Sequence, residues 1–425
     1  MSIDDVTRWT QYDVPWEARA GFTFNLCSDS ICLQGGFNNN KVYNDLWTFP
    51  IVSDSIQHEK WAKKSDSVFS NGGGRYGHGA CYFQNHGLVL FGGMSHDGNT
   101  QNDVVKASRM SDELKLETVL LHAPWKARVW FGYACVPHAE TIALAAGYHK
   151  TETSSSTLID DMWYSKDGGQ SWIGTGAFPW AGRYSLGMEF VHNQGKLFIF
   201  GGRGSRQYYN DVWSTEDYGR TWKEEAKAPW RPCFNFATTA NVLTNNSFYM
   251  FGGFFSALDL SDIWQYTVGQ KWERLEASAV WGSRNAFGAI HDSQNRVIIA
   301  GGRSSTGFRS DMWSSLGDAG TGGMLNDEAL KIAVIVASIA FGLFAACVCV
   351  RYGCRYYKTR RRKHLYRWME QQVEEDEEVE TSEVQIFPRP SKASQEVDDL
   401  TVSEFDDDVD SGDVVRNFCD EPEKE

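Results

Sequence analysis

The chain predicts an all-β protein: a six-bladed β-propeller over residues 1–316, then one transmembrane α-helix and a disordered acidic tail. Two observations carry this. A small-residue doublet closing an apolar run recurs six times, at Gly35-Gly36, Gly92-Gly93, Ala146-Gly147, Gly201-Gly202, Gly252-Gly253 and Gly301-Gly302, in steps of 57, 54, 55, 51 and 49 residues. Far beyond the last repeat, Ile332 to Val350 forms 19 residues without a charge. A fixed period of this length marks stacked or ring-forming repeats.

Each copy reads as four short strands, a to d. Strand b is an apolar run such as LVLFGG, KLFIFGG or RVIIAGG, ending in glycines where the chain must turn against a close neighbour. Strand c carries an acid two residues before a large apolar side chain: NDLW to Trp47, NDVV to Val105, DDMW to Trp163, NDVW to Trp213, SDIW to Trp264 and SDMW to Trp313. A second tryptophan follows at Trp61, Trp172, Trp222 and Trp272, and an arginine opens the next copy at Arg19, Arg75, Arg128, Arg183 and Arg284. One such blade cannot bury both faces. Six packed round an axis can, so the tryptophans, 16 of 17 lying before residue 320, are expected between blades. The sixth copy has no strand d of its own. The N-terminal RWTQYDVPW carries a spare Trp9 and is expected to complete it, closing the ring.

The spaced double glycine, acid and tryptophans resemble the kelch repeat, over nearly all of residues 9–313. The departures are local: the second copy lacks both tryptophans, the third has Ala146 for glycine, and the fifth has Arg231-Pro-Cys233 where an arginine is spaced. Ser165 to Trp172 and Thr215 to Trp222 fit S/T-x-D-x-G-x-x-W and resemble the Asp-box of sialidases, a structural hairpin turn. These resemblances admit a carbohydrate-active enzyme, galactose-oxidase-like or sialidase-like, as an alternative. Its constellation is not readable. His138, His192 and His291 fall in a–b turns of different blades and are not expected to share a metal; the sequence has no phosphate loop of the P-loop or Rossmann kind and no Ser-His-Asp arrangement that sequence alone supports. No catalytic residue and no cofactor are assigned.

The resemblance implies partner binding on the face shared by b–c and d–a loops. Two b–c loops, GGRGSRQYYND and GGRSSTGFRSD, place Arg203, Arg206, Arg303 and Arg309 there as a candidate patch for an acidic protein or glycan ligand. Residues 1–350 carry a net charge of only −5, which gives no indication of a nucleic-acid surface, and no nucleic-acid partner is expected.

At 1.5 Å per residue, 332–350 spans about 28 Å, the thickness of a bilayer core. A linker, 317–331, precedes it. A basic segment, 351–369, follows, with eight Lys and Arg and no acid up to Arg367. That asymmetry predicts a single-pass protein with its C-terminus in the cytosol and its propeller extracellular or lumenal. The opening MSIDDVTRWTQYDV lacks a signal-peptide core, so an upstream leader is expected; the alternative is a cytosol-facing adaptor. The short linker tends to turn the b–c face away from the bilayer.

Cys347, Cys349 and Cys354 are candidates for palmitoylation at the cytosolic edge. Ser338, Gly342 and Ala346 form a small-xxx-small face for a helix-mediated dimer. The tail, 370–425, has too few apolar residues for a core; Tyr366-Arg-Trp-Met369 fits a sorting signal, and Ser403 precedes acids as kinase sites do, suggesting cytosolic trafficking factors as partners. Among the propeller cysteines, Cys27 and Cys32 flank a tight turn and could pair. Cys81, Cys135 and Cys233 read as small buried strand-a residues of separate blades. Asn245-Asn-Ser247 is the one glycosylation sequon, expected in an exposed a–b turn.

Overall fold

In a computed structural model, the chain is described over residues 8–51, 60–70, 73–110, 113–150 and 156–315. The linker, the apolar segment 332–350, the basic segment and the tail lie outside the described residues, as do Cys347, Cys349 and Cys354. Among the described residues, no helix is long and apolar enough to cross a membrane.

Six four-stranded antiparallel sheets form a β-propeller. Blade 1 comprises Thr23–Cys27, Ser30–Gln34, Leu46–Pro50 and Ala62–Ser65; blade 2, Gly79–Phe83, Gly87–Phe91, Val104–Met110 and Glu113–Leu120. Blade 3 comprises Gly132–Val136, Thr141–Ala145, Asp161–Ser165 and Ile173–Ala177; blade 4, Gly187–Val191, Lys196–Phe200, Val212–Thr215 and Lys223–Glu224. Blade 5 comprises Ala237–Ala240, Ser247–Phe255, Leu258–Thr267 and Trp272–Glu276. Blade 6 takes Gly288–His291, Val297–Ala300 and Asp311–Ser315 from the end of the repeat and Trp9–Asp13 from its beginning. The register runs from Trp9 opposite Ser315 to Asp13 opposite Asp311, so the N-terminal strand does complete the last blade.

The strands follow from burial. Strand b is sandwiched on both faces, and Val89, Leu90 and Phe91 are fully buried. Strand d faces out, and Ile173–Ala177 and Lys223–Glu224 are largely exposed. Six apolar clusters fill the six interfaces between blades. Ile298 and Met312 of blade 6, for example, join Phe24 and Leu33 of blade 1 around Trp16. Trp125 and Trp172 pack between blades 2 and 3, and Trp230 and Trp272 between blades 4 and 5.

The separate marks of the repeat meet in one polar unit. Arg19, Arg75, Arg128, Arg183 and Arg284 are all essentially inaccessible. Each ion-pairs with the strand-c acid of its own blade: Asp45, Asp103, Asp161, Asp211 and Asp311, at 2.6–2.8 Å. Each also donates to the carbonyl of the first doublet residue, Gly35, Gly92, Ala146, Gly201 or Gly301. The acid takes a further bond from the indole N–H two residues on at Trp47, Trp163, Trp213 and Trp313. Burial works to raise the Asp45 pKa, but the Arg19 guanidinium and the Trp47 indole hold it below its usual value. A charge so deeply buried is tolerated because the carboxylate and the doublet carbonyl take most of its donors; one guanidinium N–H each of Arg75, Arg128, Arg183 and Arg284 has no partner among the described residues.

The arginine backbone ties blades together. The second doublet glycine donates to the arginine carbonyl of the next blade: Gly36 to Arg75, Gly93 to Arg128, Gly147 to Arg183, Gly253 to Arg284 and Gly302 to Arg19, at 2.8–3.0 Å. A Cβ on Gly36, at φ +92°, would sit 2.8 Å from the Ala20 carbonyl oxygen, so glycine is required there. In blade 5 the arginine position is Cys233. Its carbonyl still accepts from Gly202, which is why the fifth repeat loses the side chain without losing the blade contact.

Two disulfides tie the described strands. A disulfide joins Cys27 and Cys32 within the first hairpin, with the Cα atoms 5.9 Å apart. Cys81 and Cys135 are not merely small buried residues as their sequence positions suggest: they form a disulfide across the strands a of blades 2 and 3, with Cα atoms 5.7 Å apart. The innermost strands converge on the axis, so residues 54 apart in sequence become neighbours. Cys233 remains a free buried thiol, in the loop before strand a rather than in it.

Deleting residues 1–13 removes a whole ladder from blade 6 and the Trp9 ring from Trp281. Loss of the cooperative thermal transition is the expected outcome by calorimetry; an unchanged melting temperature would refute closure by this strand. Arg183→Ala leaves the part-buried Asp211 with its Trp213 indole but without its cation, and should lower unfolding free energy by about 3–5 kcal/mol in denaturant titration.

Candidate functional site

At the propeller axis, each chain segment entering strand a contributes one backbone link to a closed ring. Gly77 N–H donates to Gly21, Trp130 to Gly77, Ser185 to Trp130, Asn235 to Ser185, Ala286 to Asn235, and Gly21 to Ala286, at 2.6–3.3 Å. All six residues have φ between +51° and +65°, and four of them are not glycine. Left-handed backbone at a tryptophan or an alanine is costly and persists only where its surroundings enforce it.

The ring floors a cavity of about 510 Å³ on the b–c face. Its rim is built six times over from one residue after the repeat arginine and one after the doublet. The pairs are Ala20 with Phe37, Tyr76 with Met94, Val129 with Tyr148, Tyr184 with Arg203, Phe234 with Phe254, and Asn285 with Arg303. These backbone bridges show that b–c and d–a loops share one face.

Aromatic rings dominate the wall. Phe37 packs on Tyr76 at 4.7 Å and on Phe308 at 5.6 Å, and Tyr76 lies 5.9 Å from Trp130. On the other side, Tyr184 lies 6.0 Å from Tyr148 and 5.9 Å from Phe234. Burial pushes the Tyr184 hydroxyl up to about 12, against the pull of Arg203. At the floor, Ser185 Oγ and Asn235 Oδ1 are buried without a hydrogen-bond partner among the described residues. Burial lowers the pKa of Arg303, with Asp259 acting the other way.

The four arginines singled out from the sequence are not equivalent. Arg203 and Arg303 occupy the same rim position in blades 4 and 6. Arg303 lines the cavity and donates to Asn285 Oδ1 at 3.3 Å. Arg203 lies 5.6 Å from the ring centroids of both Tyr208 and Phe234. Arg206 is exposed, and Arg309 donates to Ser304 Oγ. The aromatic rim escaped sequence reading because its members differ from blade to blade. The available signal was positional: the residue directly after each repeat arginine.

On the opposite face, the a–b turns of neighbouring blades crowd together. His138 and His192 are therefore not spread apart round a ring; their rings lie 4.9 Å from each other. His291 is buried at the end of strand a of blade 6. Among the described residues, no three His, Cys, Asp or Glu side chains are placed to hold a metal ion. Asn245 is half-buried at φ +48°, at the edge of the channel mouth rather than fully exposed.

Both S/T-x-D-x-G-x-x-W turns fold alike. The Asp167 carboxylate accepts from the Gln170 and Ser171 amides and two hydroxyls, and Asp217 from the Arg220 and Thr221 amides and two hydroxyls. Desolvation opposes it, yet these bonds hold the Asp217 carboxyl down to about 2. They are outer turns with every acceptor engaged locally, which fits a structural role. No family model matches the chain, and no curated protein matches it.

Proposed function

We propose that this chain is a kelch-type propeller carried on a membrane, and that it binds a protein or glycan ligand in the axial cavity of its b–c face. The carrying observation is that cavity: about 510 Å³, walled by Phe37, Tyr76, Trp130, Tyr148, Tyr184 and Phe234 from five blades, over the buried Ser185 Oγ and Asn235 Oδ1, which have no hydrogen-bond partner among the described residues. Concave aromatic walls with a few placed polar groups are the general form of a ligand site. Arg203 and Arg303 flank blade 5 on the rim, with Arg206 and Arg309 in the same loops, so the ligand carries an anionic group on that side.

Membrane anchorage rests on the uncharged run 332–350 and the basic segment after it. The side of the membrane rests on sulfur. Two disulfides, one of them between blades, belong to a protein that matures in an oxidising compartment, extracellular or lumenal. Asn245 would then be open to glycosylation, while Cys347, Cys349 and Cys354 would take acyl chains at the cytosolic edge and the acidic tail would meet trafficking factors.

The test uses the full chain in two preparations, in sealed vesicles for protease protection and solubilised in detergent for glycan and peptide arrays. The expected result is protease protection of the propeller, with a bound array partner lost at least tenfold in Arg203→Glu/Arg303→Glu at unchanged melting temperature. Equal array binding by the double variant would sink the proposed rim contact, and digestion of the propeller in sealed vesicles would favour an adaptor facing the cytosol.

A further inference from the structure

The hydrogen-bonded ring divides the axial channel. Beyond it lies a second chamber of about 390 Å³, lined by strands a and opening among the a–b turns at Pro137, Val242 and Asn245. The b–c ligand reading makes no use of it. Among the described residues that line it, Glu189 is the one carboxyl and none is a lysine or an arginine. Glu189 sits mid-strand in Gly187–Val191 and is still partly accessible from the channel. The Thr238 hydroxyl and the Ala240 N–H donate to it from blade 5.

We propose that this chamber is a binding site for a small organic ammonium ion, with Glu189 as its counter-charge. A half-buried carboxylate with no cation beside it has lost part of its hydration without compensation. Desolvation raises the Glu189 pKa to about 7, against the Thr238 and Ala240 bonds. The other titratable groups lining the chamber supply no positive charge near neutrality. Burial pushes the Tyr133 hydroxyl up to about 12, and it lowers the pKa of both His192 and His291; Tyr82 is a phenol. The walls include Phe24, Tyr82, Tyr133, Phe190 and Phe236, whose ring faces attract cations. An inorganic divalent ion is a poor fit. It needs several oxygen ligands close together, whereas this chamber offers a single carboxylate in a wide space. A cation with an apolar body matches both the volume and the walls.

Free amines and choline lipid headgroups share this chemistry. The probes are choline, its uncharged carbon analogue dimethylbutanol, and phosphatidylcholine vesicles, titrated by calorimetry against the full chain held in detergent-free nanodiscs of lipids without a choline headgroup. Choline or the choline vesicles should bind, dimethylbutanol at least tenfold more weakly. Choline affinity should fall about tenfold from about pH 8 to about pH 6, as the ionised fraction of Glu189 falls. Glu189→Gln should abolish binding while retaining the wild-type melting temperature. Failure of every choline probe, equal binding of dimethylbutanol, or an affinity indifferent to pH would overturn the site even if the variant did not fold. Array binding at the b–c face is read independently of each of these.

Discussion

Six backbone hydrogen bonds closed on themselves constrain everything else in this propeller. Gly21, Ala286, Asn235, Ser185, Trp130 and Gly77 form a cycle in which each link fixes the next blade at one distance from the axis. A cycle tolerates no missing member, so each participant is held left-handed whatever its side chain. The strain at Trp130, Ser185, Asn235 and Ala286, of order 1–3 kcal/mol each, is balanced by packing further out.

That outer packing is organised by the buried arginines. Each side chain binds the acid and the doublet of its own blade, and each carbonyl accepts the doublet amide of the blade before. One residue therefore joins intrablade order to interblade spacing. Blade 5 separates the two roles. With Cys233 in place, the carbonyl contact survives, Asp262 keeps its Trp264 indole, and Arg274 approaches from outside at 3.8 Å. The thiol beside it is pushed well up in pKa by burial and by Asp262.

The blade count, the strand order and the closing Trp9 strand were legible because they rest on periodic side chains: glycine doublets, strand-c acids and tryptophans. The arginine recurred visibly too, but its partners lie 26–33 residues away, so sequence spacing alone did not pair it with the acid. The axial ring was illegible, since its bonds are main-chain and its left-handed positions are glycine in only two of the six blades, at Gly21 and Gly77. Cys81 and Cys135 were missed for a related reason. They sit one register apart on strands a of adjacent blades, and only the convergence of those strands brings them within bonding distance. At the candidate site, the arginines were visible as charges in glycine-rich loops, whereas the aromatic wall alternates among Phe, Tyr, Trp and aliphatic residues and shows no motif.

Both chambers owe their existence to the ring between them: the aromatic one with its cationic edge on the b–c face, and the one with a lone carboxyl among the a–b turns. The most direct measurement is native-state hydrogen exchange at the six ring amides. If the cycle is the constraint described, Gly21, Gly77, Trp130, Ser185, Asn235 and Ala286 will share one opening free energy equal to that of global unfolding. A graded series, with one or two of these amides exchanging through cheap local openings while the others stay protected, would contradict it.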